Sequence, residues 1–168
     1  MKSIIASLFV GLLLISCKDA KKEESQPIVD EITAVAVGTV ISGDFEITDP
    51  EALEVKWEKA LTAEKGKEIE LEGFEIITGK VDNNSSEEYY MIISRTNEGN
   101  IMVAALLDLR DGEFFFKSVV EGEHIMVMCE DEGYCEQEGC LPIVNVRNDK
   151  QQIDCSCREC SKEEKKIK

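Results

Sequence analysis

The chain has 168 residues, with 35 acidic side chains against 19 basic ones and a formal charge of −16. That length suits one compact domain with appendages and is short for two. So acidic a surface repels phosphate, and no basic stripe with interleaved aromatics is present, which excludes nucleic acid as a partner and disfavours anionic headgroups.

Met1-Lys2 forms a basic start, Ile4 to Ile15 an apolar run too short to span a bilayer, and Ser16 a small residue before Cys17. Residues 1–16 therefore read as a secretory leader. Leu14-Ile15-Ser16-Cys17 resembles the lipobox of bacterial lipoproteins, in which the cysteine thiol is diacylated and the leader removed. The resemblance implies lipidation at Cys17, which would become the first mature residue. Each buried methylene contributes about 0.8 kcal/mol, so one acyl chain holds marginally and two or three hold firmly.

Residues 17–27 read as the lipidated cysteine plus a tether, since Lys18 to Gln26 is almost wholly polar and Pro27 follows. Such a segment reaches roughly 15 to 20 Å. Lys18-Asp19 resembles the charged export signals that some Gram-negative lipoproteins carry after the cysteine, which implies an outer-membrane address and puts the cell surface ahead of the periplasmic face.

Residues 28–129 are expected to form the folded body. Residues 32–42 are rich in Val and Ile and suit a strand, with Gly38 marking a bulge or a close backbone approach. Asp49 as N-cap, Pro50 in the first turn, Glu51 at the positive end and Gly66 as a left-handed stop predict a helix over 50–65. Leu53, Trp57, Ala60 and Leu61 share its apolar face, with Trp57 as the anchor. From Glu68 the period becomes two, predicting strands over 68–79, 89–95, 101–109, 113–120 and 124–129. Asn97 to Asn100, Asp111-Gly112 and Glu121 to Glu123 punctuate them, and Asp-Gly is the strongest hairpin signal. The predicted class is α+β: an antiparallel meander of about six strands packed on one amphipathic helix. Its element order resembles cystatin-like folds in layout, which licenses no function.

The composition then shifts. Residues 130–160 hold few apolar side chains and, with Cys129, present Cys129, Cys135, Cys140, Cys155, Cys157 and Cys160. So little apolar material cannot offset an ordering entropy of roughly 1 to 2 kcal/mol per residue, so a covalent or metallic constraint is expected. In an oxidising compartment six cysteines read as three disulfides in a loop-dominated segment, with roughly fifteen pairings open. Cys155 and Cys157 are too close to join, so each should bond elsewhere. Residues 161–168 read as a charged tail. A cysteine-rich end behind a β-rich body resembles the plan of small bacterial envelope lipoproteins, and that resemblance carries no activity with it.

Competing chemistries are zinc on the Cys135-x4-Cys140 and Cys155-x-Cys157-x2-Cys160 thiolates, and redox catalysis at Cys157-x-x-Cys160. Cu(I) is a third, at His124, Met126 and Met128, which alternate along one strand and so share a face. Asp82 to Glu88 has oxygen ligands like the front of a calcium loop but lacks its turn glycine and distal glutamate, and reads as a plain polar loop. Serine-hydrolase, zinc-protease and phosphate-loop motifs are absent, and the chain has one His. The leading expectation is a lipid-anchored envelope protein with a non-enzymatic binding or structural role, without a cofactor, joined to the membrane through its lipid and facing an envelope or extracellular protein. Soft-metal handling and an enzyme with a carboxylate site stand behind it.

Overall fold

A computed structural model describes residues 35–120, 122–133, 135 and 139–168. The leader, Cys17 and the tether lie outside these residues.

Helix α1 (Pro50–Lys65) starts and stops where its end residues require. The Asp49 carboxylate accepts the Ala52 N–H at 3.0 Å, and Gly66, at φ 68°, donates its N–H to the Thr62 carbonyl at 2.9 Å. Leu53, Trp57 and Leu61, four residues apart, are the buried positions, and Trp57 is completely enclosed. Its indole meets the edge of Phe74 at 5.3 Å between centroids.

Among the described residues, nine strands form one antiparallel sheet that curls into a half-barrel. They are β1 (Gly38–Ile41), β2 (Asp44–Ile47), β3 (Glu75–Val81), β4 (Asn84–Arg95), β5 (Ile101–Arg110), β6 (Glu113–Phe116), β7 (Ser118–Val120), β8 (Glu123–Glu130) and β11 (Ser161–Ile167). β5 organises the sheet. One of its edges pairs with β4, which pairs in turn with β3. Its other edge is shared: Ile101 to Ala104 pair with β8, and Leu107 to Arg110 pair with β6. The chain leaves β5 through Asp111-Gly112, both at positive φ (51° and 84°), the hairpin geometry predicted for that dipeptide.

This is not the simple meander expected. The run 113–120 breaks at Lys117, where β6 gives way to β7, and β8 then passes β6 to reach the opposite half of β5. The predicted strand over 32–42 is shorter and continues, through Ser42-Gly43, into an unforeseen partner, β2. Gly38 is the point of closest approach: a Cβ there would lie 2.6 Å from the Glu46 carbonyl oxygen and 2.7 Å from Ile76 Cδ1.

The strand predicted over 68–79 begins only at Glu75. Ile69 and Leu71 are buried, yet their backbone N–H groups donate to helix side chains, Thr62 Oγ1 at 3.2 Å and Glu58 Oε1 at 2.8 Å. Alternating burial is thus satisfied by a crossing segment that the helix caps, leaving a single bridge from Leu71 to Thr96.

Both faces of the sheet are covered. One face packs Ile92, Val103, Leu107, Phe114, Met126 and Met128 against Trp57 and Leu61 of the helix. The other buries Met91, Ala104, Val127 and Cys129 under Val144 and Ile153. These last two belong to a separate hairpin, β9 (Pro142–Arg147) and β10 (Lys150–Cys155), turned by Asn148-Asp149 at φ 52° and 57°. The Cys-rich segment thus keeps its loops around the cysteines, where the described residues of 131–141 and 156–160 hold no strand, and its hairpin supplies the second covering layer.

The charged run 161–168, expected as a tail, instead contains edge strand β11, paired residue for residue with β8 from Ser161↔Glu130 to Ile167↔His124. Alternation explains this: Ile167 enters the core while Lys162, Glu164 and Lys166 face outward. Charges along such an edge oppose pairing with further chains.

Candidate functional site

The cysteines form a ladder. Among the described residues Cys129 bonds to Cys155, Cys135 to Cys157 and Cys140 to Cys160, with Cα separations of 5.7, 6.1 and 5.7 Å. First joins fourth, second fifth and third sixth. The first bridge ties β8 of the main sheet to β10 of the hairpin. As expected, Cys155 and Cys157 each bond outside their own run. The Cys157-x-x-Cys160 pair forms no bond of its own, because the two sulfurs are committed to different partners, and this removes the geometry that a dithiol oxidoreductase needs.

Local hydrogen bonds hold these loops in place. Asp131 Oδ1 accepts the Gly133 and Cys135 N–H groups at 2.8 and 3.3 Å. Leu141 and Ser156 are joined twice, through Ser156 N–H to the Leu141 carbonyl at 2.8 Å and Leu141 N–H to Ser156 Oγ at 3.0 Å. Cys160 donates its N–H to the Cys157 carbonyl at 3.2 Å, closing a tight turn. The outer two bridges touch: Cys135 Sγ lies 3.3 Å from Cys140 Sγ and 3.6 Å from Cys160 Sγ. Cys135, Cys140 and Cys160 make up this sulfur cluster, and Cys129, Cys155 and Cys157 lie outside it.

On the opposite face of β8 lies the second constellation. His124, Met126 and Met128 all face the helix side, as the alternation predicts, while Val127 and Cys129 face the hairpin. All three are core residues. His124 Nε2 accepts the Trp57 indole N–H at 3.3 Å, and its ring stacks on Phe116 at 3.6 Å with 3° between planes. Burial, followed by the nearby Lys56 charge, pushes the His124 pKa down to about 4. The imidazole is thus a neutral acceptor whose Nε2 lone pair is committed to Trp57. No local signal marks the Trp57–His124 pair, since 67 residues separate its members. Only their shared apolar surroundings hint at it.

The polar segment 82–88 secures the hairpin. Asp82 and Asn83 turn between β3 and β4, and Asn83 makes a two-way bond with Val146, donating to its carbonyl at 2.9 Å and accepting its N–H at 2.8 Å. Asp82 N–H adds a bond to the Val144 carbonyl at 2.8 Å, and Gln151 Nε2 donates to Glu87 Oε1 at 2.7 Å. The oxygen-rich pattern thus serves docking of the second layer.

Other carboxylates hold the edges. Lys65 lies between Glu130 and Glu163 at 2.7 and 3.1 Å; burial works against its charge, but these bonds prevail and raise its pKa. Asp154 is likewise opposed by burial, and hydrogen bonds from Asn145 and Lys162 outweigh that and lower its pKa. An open hollow of about 220 Å³ is lined by Glu68, Glu70, Thr96 and Glu98. Two of its carboxylates are already engaged, Glu70 by Asn97 and Glu98 by Lys67, each at 2.7 Å.

Compared with protein-family models, curated proteins and solved structures, the chain matches none of them.

Proposed function

We propose that this chain is a lipid-anchored protein of the bacterial cell envelope, held at the outer membrane through Cys17 and working as a non-enzymatic binding or structural module. The observation that carries the reading is the ladder of three disulfides, which closes a segment that has little apolar material of its own. Such bonds persist where thiols are oxidised, outside the cytosol. Leu14-Ile15-Ser16-Cys17 supplies the matching address, and Lys18-Asp19 favours display on the outer surface.

The folded body fits a role exposed to a harsh exterior. Both sheet faces are covered, the β11 edge is charged, and the crosslinks limit unfolding. Its charge selects for basic protein surfaces in the envelope or the extracellular medium.

Labelled palmitate fed to expressing cells tests the anchor: incorporation into the wild type, and none into Cys17→Ala, is expected. Label in both proteins, or in neither, overturns it. Protease treatment of intact cells should remove the folded body from the surface; full protection would reassign it to the periplasmic face.

A further inference from the structure

We propose that the two outer disulfides are a redox-gated metal site: when reduced, Cys135, Cys140, Cys157 and Cys160 form a four-thiolate site for zinc or a similar thiophilic divalent cation. Three of the four sulfurs already stand close to the arrangement required. A tetrahedral zinc with Zn–S of about 2.3 Å places its sulfurs roughly 3.7 to 3.8 Å apart. Here, sulfurs of separate bridges lie 3.3 and 3.6 Å apart, and those of Cys135, Cys140 and Cys160 all fall within 4.8 Å of one another. Cys157 lies outside this group of three, its Sγ bonded to Cys135 and 3.2 Å from Glu159 Oε2, and reduction frees it to turn in as the fourth ligand from the tight turn that the Cys160 N–H closes on its carbonyl.

The spacing agrees independently. Cys135-x4-Cys140 and Cys157-x2-Cys160 each fit the short Cys-to-Cys intervals of structural zinc sites. Exposure grades the bridges: Cys135 and Cys157 are both half-buried and open to a reductant, whereas Cys140 and Cys129 are buried partners of half-buried Cys160 and Cys155, and Cys129 is in addition held within β8 of the main sheet.

The chemistry balances. Each outer disulfide takes two electrons and two protons from a dithiol donor, which leaves as its own disulfide. The four resulting thiols then release four protons as the cation binds. A disulfide acceptor runs the sequence backward and expels the metal. The oxidised and metal-bound forms therefore exclude each other, and the same loops are constrained in both. This site is independent of acylation at Cys17, so failure of either proposal leaves the other standing.

Cadmium is a suitable probe, because each thiolate–cadmium bond adds to an ultraviolet charge-transfer band. The full chain is titrated after reduction by a phosphine, which becomes phosphine oxide with oxygen from water. One cadmium per reduced chain with a four-thiolate band is expected, and none for the oxidised chain. Cys129→Ala with Cys155→Ala should keep that band, and Cys140→Ser with Cys160→Ser should retain about half, the share of two thiolates. Far-ultraviolet circular dichroism of each reduced variant shows that the ligands are counted on the folded chain, where Cys129 and Cys155 stand apart from the site. No uptake by the reduced wild type, equal uptake by the oxidised chain, a full band without Cys140 and Cys160, or a lost band without Cys129 and Cys155 would each overturn the assignment.

Discussion

Acid should destabilise this protein through its single histidine before its carboxylates respond. His124 is 4% exposed, and its pKa falls from 6.5 to about 4 on folding. The unfolded chain therefore binds the extra proton between those values, and stability rises with pH across that interval. The contribution is complete above pH 6.5 and is lost as pH falls toward about 4. Linkage gives a loss of about 2 kcal/mol between roughly pH 7.5 and pH 5, and about 3 kcal/mol by roughly pH 4. Glu64, Glu88 and Asp154 also have lowered pKa values, through Lys165, Lys80 and the Asn145 and Lys162 bonds, but their ordinary values of 4.5, 4.5 and 3.8 put their losses lower on the scale. Urea unfolding, followed by emission of the chain's one tryptophan, Trp57, reads the effect at the contact itself. His124→Gln keeps a neutral acceptor, lowers stability at all pH values and should flatten the slope between about pH 5 and 7.5. A wild type that loses under about 0.5 kcal/mol over this window, or a variant that loses as much as the wild type, would refute the buried neutral imidazole.

Three structural predictions accompany it. Replacing Cys129 and Cys155 by Ala opens a bridge spanning 26 residues, but with Cys135–Cys157 still closed the ring released is short, so the loss should be about 2.5 kcal/mol. An unchanged denaturation midpoint would show that the bridge adds nothing to the packing at β8. Gly38→Ala sets a methyl group 2.6 Å from a backbone oxygen that cannot yield, and should cost about 1 to 3 kcal/mol; an equal or higher melting temperature counts against the close packing of β1 on β2. Asp49→Ala removes the acceptor for the Ala52 N–H and should cost about 1 kcal/mol, read by chemical denaturation, with no loss pointing to an alternative helix start.

Signals confined to one turn or one dipeptide are legible in the amino-acid order. Asp49-Pro50 and Gly66 bound the helix because an orphan N–H, a fixed proline φ and a left-handed stop are local requirements. Asp111-Gly112 marks its hairpin for the same kind of reason. The alternation of His124, Met126 and Met128 against Val127 and Cys129 correctly separates the two faces of β8, but says nothing of what covers each. The near-continuous apolar run Ile101 to Leu107 does carry a warning that both faces of β5 are buried.

The partnership of distant residues is a tertiary matter. Periodicity in 68–79 does not distinguish a paired strand from a segment whose N–H groups are capped by Glu58 and Thr62, since both bury Ile69 and Leu71. Ser161 to Ile167 has the composition of a tail because a charged edge strand is defined by the neighbour it pairs with, here β8, rather than by its own residues. Six cysteines announce crosslinks without choosing among pairings, and the choice comes from packing β10 across β8, which brings Cys155 to Cys129 and sets the two outer bridges in contact. The order of amino acids thus settles the elements that backbone conformation and capping can enforce locally. The fold settles which of them meet, because burial and bond formation depend on surfaces that come together only when the whole chain closes.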